Sequence, residues 1–159
     1  MTHNLLELQN FLDSQIPIAR FMGVRVIAYE KQALRLGAPL SPNTNHHGTA
    51  FGGGIASLGF IAGWAYTSLR LQQAELSASL VIGKSEIRFL SPVRGAFEAT
   101  VALKQEDDWQ NFIRQLEQTG KAHLQLSPII SSAGVTAAEL QNSYTAFIDK
   151  NMTGTKKAG

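Results

Sequence analysis

Leu5, Leu8, Phe11 and Leu12 recur at three- and four-residue spacing, which predicts a short helix over residues 4–15. Ile16-Pro17 ends it, and a second short turn over residues 18–22 leads to Gly23. From Val24 the period changes to two. Val24, Val26 and Ala28 alternate with Arg25, Ile27 and Tyr29 as on a strand, and residues 33–40 read as its hairpin partner across a turn at 30–32. Ser41-Pro42-Asn43-Thr44-Asn45-His46-His47-Gly48 carries every turn signal. The helical period then returns from about Gly53 to Gln72, with Ile55, Leu58, Ala62, Ala65 and Leu69 on one stripe. A second row is small: Gly52, Ala56, Gly59 and Gly63. Glycine inside a helix costs about 1 kcal/mol relative to alanine, so this row predicts a close approach to another backbone.

Residues 77–91 read as a long strand ending at Pro92, and residues 95–104 as another, with Phe97, Ala99, Val101 and Leu103 on one face. Asp107 or Asp108 is placed to cap a helix carrying Trp109, Phe112, Ile113 and Leu116, with Gly120 just past its end. Ala122, Leu124 and Leu126 begin a further strand. The turn Ala133-Gly134 joins it to a last one over residues 135–148. A hairpin, one long helix and a run of strands make an α+β fold. The expected organisation is one domain over residues 1–150 and a flexible polar tail at 151–159.

Composition narrows the classes. The chain has 159 residues, 44% hydrophobic and 16% charged, which suits one compact fold. No apolar run reaches the length of a membrane helix, and the N-terminus has no basic region of the kind a signal peptide carries. The absence of cysteine removes thiolate chemistry and disulfides, and fits a cytoplasmic protein. A net charge of +2 is too small to argue for nucleic acid.

The chemistry concentrates where the loop meets the long helix. The first turn of a helix has unpaired N–H groups and a partial positive charge, and Gly52 and Gly53 have no side chain to block approach. An oxyanion held there would gain roughly 3–4 kcal/mol in the transition state per good donor. The same glycines also serve a tight turn and close packing. The Asn45 amide can donate to a carboxylate or an oxyanion, or can shape the loop as an Asx-turn, which is also the reading for Asn43. His46 and His47, being adjacent, are expected to point in different directions, with one orienting the loop or touching substrate. Thr49 can donate its hydroxyl into the site or cap the helix. No His spacing suggests a metal site. Lys84, Glu86 and Arg88 share one face of the long strand and Ser85 the other.

Asn45-His46-His47-Gly48-Thr49-Ala50-Phe51-Gly52-Gly53 is similar to the N-x-H-G-x-x-H-G-G loop of hot-dog acyl-CoA thioesterases. Residues 5–149 resemble a narrower family, carried most specifically by GTAFGGGIASLG and SEIRFLSPVRG. Its members are usually described as thioesterases, some stand behind an acetyltransferase domain, and the family is associated with decarboxylation of malonyl-acyl-carrier-protein. The resemblance implies a hot-dog fold, a curved antiparallel sheet wrapped around the long helix. It implies a homodimer or tetramer with sites at the subunit interface, and a substrate carried on the phosphopantetheine of acyl carrier protein or coenzyme A, with no other cofactor. It makes Asn45 critical and the long strand a wall of the pantetheine channel, where Ser85 and Arg88 would meet substrate. Two family positions depart. The histidine before the glycine pair falls on Phe51, and the water-activating carboxylate of the helix falls on Phe60; residues 53–71 hold no Asp, Glu or His. Decarboxylation needs an enolate stabilised rather than a water activated, so the departures favour it. An acyl thioesterase is the alternative, and a non-catalytic acyl-thioester binding module is a third reading.

Overall fold

The computed structural model describes residues 2–148. Met1 and residues 149–159, including the tail expected at 151–159, lie outside the described residues. Helix α1 (Thr2–Gln15) and the single turn α2 (Pro17–Met22) precede the hairpin β1 (Arg25–Glu30) and β2 (Ala33–Ala38). Pro17 sits in the first turn of α2, where its missing N–H has no acceptor to lose. Gly23 ends it at φ 72°, a left-handed conformation that suits glycine. The hairpin turn puts Lys31 and Gln32 at φ 49° and 63° without a glycine. Gln32 is anchored instead, its Oε1 accepting from the Tyr29 hydroxyl at 2.7 Å and from Arg70 at 3.4 Å.

The long helix α3 (Gly52–Gln73) is followed by β3 (Ser79–Phe89), β4 (Phe97–Val101), α4 (Glu106–Thr119), β5 (Lys121–Leu126), β6 (Ile129–Ser132) and β7 (Val135–Phe147). The strands form one seven-stranded sheet in the order β1-β2-β4-β6-β7-β3, with β5 also on β7. All pairings are antiparallel, and the sheet curves around α3.

Two elements differ from the sequence reading. The strand expected after α4 is two strands, collinear along one edge of β7: β5 pairs with residues 142–147 and β6 with residues 135–139. The break falls at Ser127-Pro128 because proline has no N–H for the ladder, although its carbonyl still accepts from Leu140 N at 3.0 Å. At the start of α4 the capping position is Gln105, with no side-chain cap; Asp107 and Asp108 lie inside the first turn, where they meet the positive end of the helix dipole.

Gly59 and Gly63 of the small row on α3 meet β7. A Cβ at Gly59 would stand 2.5 Å from Leu140 Cδ2, and one at Gly63 would stand 2.2 Å from the Tyr144 hydroxyl. These notches let the helix sink onto the sheet. Leu58, Ala62, Ala65 and Tyr66 are fully buried there with Leu36, Phe97, Ala99 and Ile130. Each large apolar side chain so buried contributes about 1.5–3 kcal/mol. No helix among the described residues is long and apolar enough to cross a membrane.

Candidate active site

The segment entering α3 is held from both sides. Asn43 is buried, and its Nδ2 donates to the carbonyls of Met22 at 2.9 Å and Pro39 at 2.8 Å. Its backbone carbonyl accepts from Phe51 N at 2.7 Å, and Ala50 N donates to Val93 O at 2.8 Å. Asn43 is thus a tether under the helix start rather than a turn former. A bridge between Thr44 and Ala50 closes the base of the loop.

Beyond that bridge Asn45 organises the tip. Its Oδ1 accepts from His47 N at 2.9 Å and Thr49 N at 3.3 Å, an Asx-turn, while Gly48 takes φ +72°. Nδ2 donates to Thr49 Oγ1 at 3.0 Å. The carbonyl end of the amide is therefore occupied by the loop's own backbone. An amide nitrogen carries two protons, and the bond to Thr49 uses one of them. Thr49 closes the loop through Asn45 and does not cap α3. The rings of His46 and His47 are exposed and lie side by side, centroids 3.8 Å apart. They do not point apart, because the turn folds both onto one side of the tip.

The helix start is bare. Phe51 is the N-cap residue, in extended conformation, and no side chain caps the first turn. The N–H groups of Gly52, Gly53 and Gly54 precede the first intrahelical bond, from Ile55 N to Phe51 O. Two aromatic rings flank them. Phe51 lies where a Cβ on Gly53 would be, 2.4 Å from its Cε1, and Phe89 of β3 lies 3.3 Å from a Cβ on Gly52. Both rings are open to solvent, at 60% and 53% exposure. An oxyanion against the glycine amides would sit between these two rings.

β3 is an edge strand with two unlike faces. A bulge at Gly83 sets the register so that Ser85 lies opposite Asn142, Ile87 opposite Leu140 and Phe89 opposite Ala138. Directly opposite residues share a face, and those β7 partners are buried under α3. Ser85 thus faces inward, and its Oγ donates to Asn142 Oδ1 at 2.7 Å. Lys84, Glu86 and Arg88 face outward, Lys84 paired with Glu86 at 2.7 Å and Arg88 with Glu139 at 2.6 Å. The fold therefore brings Ser85, Phe89 and the glycine pair to the inner side of the sheet, and Arg88 to its outer side, away from them. Phe60 is half-buried on α3, and its carbonyl accepts from the Tyr144 hydroxyl at 2.9 Å. Burial pushes the Tyr144 phenol well up from its ordinary value.

Phe89, Asn142 and Tyr144 did not stand out in sequence. A signal existed for Asn142: it falls in phase with Ala138, Leu140 and Ala146 on the apolar face of a strand. Next to this region, Arg94, Ser91 and Ser132 line a surface cavity of ≈ 600 Å³. Among the described residues, no three His, Asp or Glu side chains come together as metal ligands would.

The family described as "Putative thioesterase (yiiD_Cterm)" matches residues 5–148, and the chain belongs to it. A protein from Shewanella oneidensis, described as a "putative thioesterase", is 27% identical, with a TM-score of 0.81 over 94% of this chain and 100% of that one. A protein of unknown function from Chlorobaculum tepidum TLS is 26% identical, with a TM-score of 0.87 over 91% of this chain and 94% of that one. The architecture is the hot-dog fold of thioesterase-type proteins.

Proposed function

We propose that this member of the family decarboxylates a malonyl thioester on the phosphopantetheine of acyl carrier protein or coenzyme A, giving the acetyl thioester that primes fatty-acid synthesis. The carrying observation is the helix start: uncapped glycine amides between Phe51 and Phe89, with Phe60 a little over two turns on and no Asp, Glu or His from residue 53 to 71. The bond between the carboxylate carbon and the methylene carbon breaks. Its electron pair moves into the thioester as an enolate whose oxygen the Gly52 and Gly53 amides hold; carbon dioxide leaves, and water protonates the carbon. The Asn45 amide, its oxygen engaged by the loop, donates to the malonyl group and turns its carboxylate out of the thioester plane. His46, His47 and Thr49 border the bound group at the tip. A second copy of the chain seated along β3 completes the site; the exposed Val81, Ile82, Phe89 and Leu90 on and beside an unpaired strand edge support that reading. The outward charges of β3, Arg88 among them, would then meet an acidic carrier protein rather than the acyl group.

Mass spectrometry of malonyl-carrier-protein after incubation tests the reaction: acetyl-carrier-protein appears with the thioester intact. Asn45→Ala abolishes it while the protein stays folded and dimeric. Full activity in that variant would sink the role of Asn45.

The family favours a second reading, hydrolysis of acyl thioesters, with water activated by His47 or by a carboxylate of the second subunit. Release of free thiol from a panel of saturated acyl thioesters separates it from decarboxylation. Saturable binding without turnover of either kind would leave a binding module.

A further inference from the structure

A line of polar groups runs from the edge strand β3 across β7 to α3. Ser85 Oγ meets Asn142 Oδ1 at 2.7 Å, Asn142 Nδ2 meets the Tyr144 hydroxyl at 3.0 Å, and that hydroxyl meets the Phe60 carbonyl at 2.9 Å. The last partner sets the direction of the whole line. A carbonyl has no proton to give, so Tyr144 must donate to it. The phenol oxygen is then left to accept, which requires the nitrogen end of the Asn142 amide. The oxygen end consequently faces Ser85 and takes its proton. Turning the amide over would leave two oxygens in contact without a proton between them. Asn142 and Tyr144 are 0% and 1% exposed, so solvent offers no substitute partner. The Tyr144 hydroxyl is also held in the Gly63 notch.

An ordinary surface serine both donates and accepts. Ser85 is exposed but has its proton committed inward, so its oxygen shows only lone pairs to what approaches from outside. We propose that Ser85 is an acceptor-only binding point for an N–H donor of the ligand, of the secondary-amide class. This rests on the thioester reading above, since a pantetheine arm carries two such amides. Ser85 stands four residues before Phe89, whose ring abuts Gly52, or about 13 Å along the strand. That separation is on the scale of the arm and exceeds a short acyl group. A carboxylate or thioester oxygen would meet lone pairs at Ser85. The point therefore also sets the direction in which the ligand lies, with acyl end at the glycines and arm at the strand.

The test is calorimetric binding of malonyl-pantetheine with a thioether in place of the thioester, against two analogues in which each amide N–H in turn is replaced by an ester oxygen. The wild-type protein should bind the parent about tenfold more tightly than one of the two esters, since the exchange removes one hydrogen bond and opposes two oxygens. Ser85→Ala should bind those two equally, and Ser85→Thr, which keeps the hydroxyl, should retain the preference. Equal binding of all three by the wild-type protein overturns the proposal, as does a preference that survives in Ser85→Ala; in either case, turnover of malonyl thioester would leave the proposed reaction standing. Failure of all three to bind overturns the proposal, while turnover of malonyl-carrier-protein decides the reaction separately.

Discussion

At its C-terminal end α3 carries a cation that neighbouring elements surround; at its N-terminal end the same helix presents backbone donors that the other described residues leave open. Arg70, with its side chain 7% exposed, ion-pairs with Glu106 of α4, donates to the Tyr66 hydroxyl at 3.1 Å and lies over the Trp109 ring at 4.7 Å. Burial alone would lower its pKa; the hydrogen bond to Glu106, helped by Tyr66, outweighs this and moves it up. Even the last carbonyls are taken, those of Arg70, Leu71 and Gln72 accepting from residues 74–76. At the other end the first N–H groups have no side-chain cap, and exposed phenylalanines stand beside them. A polar group that the chain satisfies itself belongs to the structure. One left unsatisfied between apolar walls is available to a ligand. Substitutions at the two ends should therefore separate activity from stability.

The largest effect is expected at the loop that serves the open end. Asn45→Asp keeps the acceptor oxygens that bind His47 N and Thr49 N, so the Asx-turn survives, but it removes the donor and adds a charge that repels malonate. Malonyl-thioester decarboxylation should fall at least 100-fold, or about 3 kcal/mol in barrier, with the thermal midpoint unchanged within about 2 °C. More than a tenth of the wild-type rate would mean that Asn45 only shapes the loop. Next in size is the middle of the helix, where closeness to β7 rather than either end is at stake. Gly63→Ala puts a methyl group on the Tyr144 hydroxyl and should cost about 2–4 kcal/mol in urea unfolding, from overpacking and the lost bond to Phe60. The same change in a Tyr144→Phe background should cost less.

That contact shows what the sequence could and could not convey. The row Gly52, Ala56, Gly59, Gly63 predicts a close approach, because repeated helical glycine has no local benefit; the approaching residues, Leu140 and Tyr144, depend on the register of β7 and are not local information. The bare helix start was legible in the glycine pair itself. The burial of Arg70 was not, since its partners come from α4 and from the β1–β2 turn. The alternation of Lys84, Glu86 and Arg88 was legible, but which face is outward is decided by the bulge at Gly83. The division of β5 from β6 was written in Pro128, yet the apolar alternation on both sides of it masked the break.

A smaller effect is expected from Gly52→Ala. The new methyl would stand 3.3 Å from Phe89 Cζ, the far end of an exposed ring that can give way. Stability should change by less than about 1 kcal/mol, since alanine's better helix propensity offsets the crowding. The methyl narrows access to the first-turn amides, so the decarboxylation rate should fall about tenfold, a loss below that of removing a whole oxyanion donor. An unaltered rate would show that the oxygen does not approach this amide.

The smallest effect is expected at the end that looks most elaborate. Arg70→Met removes a buried cation and four polar contacts, yet each former partner keeps another. Glu106 is 53% exposed and returns to water. The Tyr66 hydroxyl retains the Leu103 N–H at 3.4 Å, and Gln32 retains Tyr29. The methionine chain fills the slot beside Trp109, where sulfur against an aromatic ring is favourable. The guanidinium's attraction for Glu106 is largely cancelled by its own desolvation, and replacing a buried ion by an apolar side chain of similar volume is often neutral or stabilising. Urea unfolding should place Arg70→Met within about 1 kcal/mol of the parent, and decarboxylation should stay within twofold, because nothing at this end reaches the substrate. A loss above about 3 kcal/mol would show the cation itself holding α4 to α3. A loss of activity without a loss of stability would break the separation between the two ends.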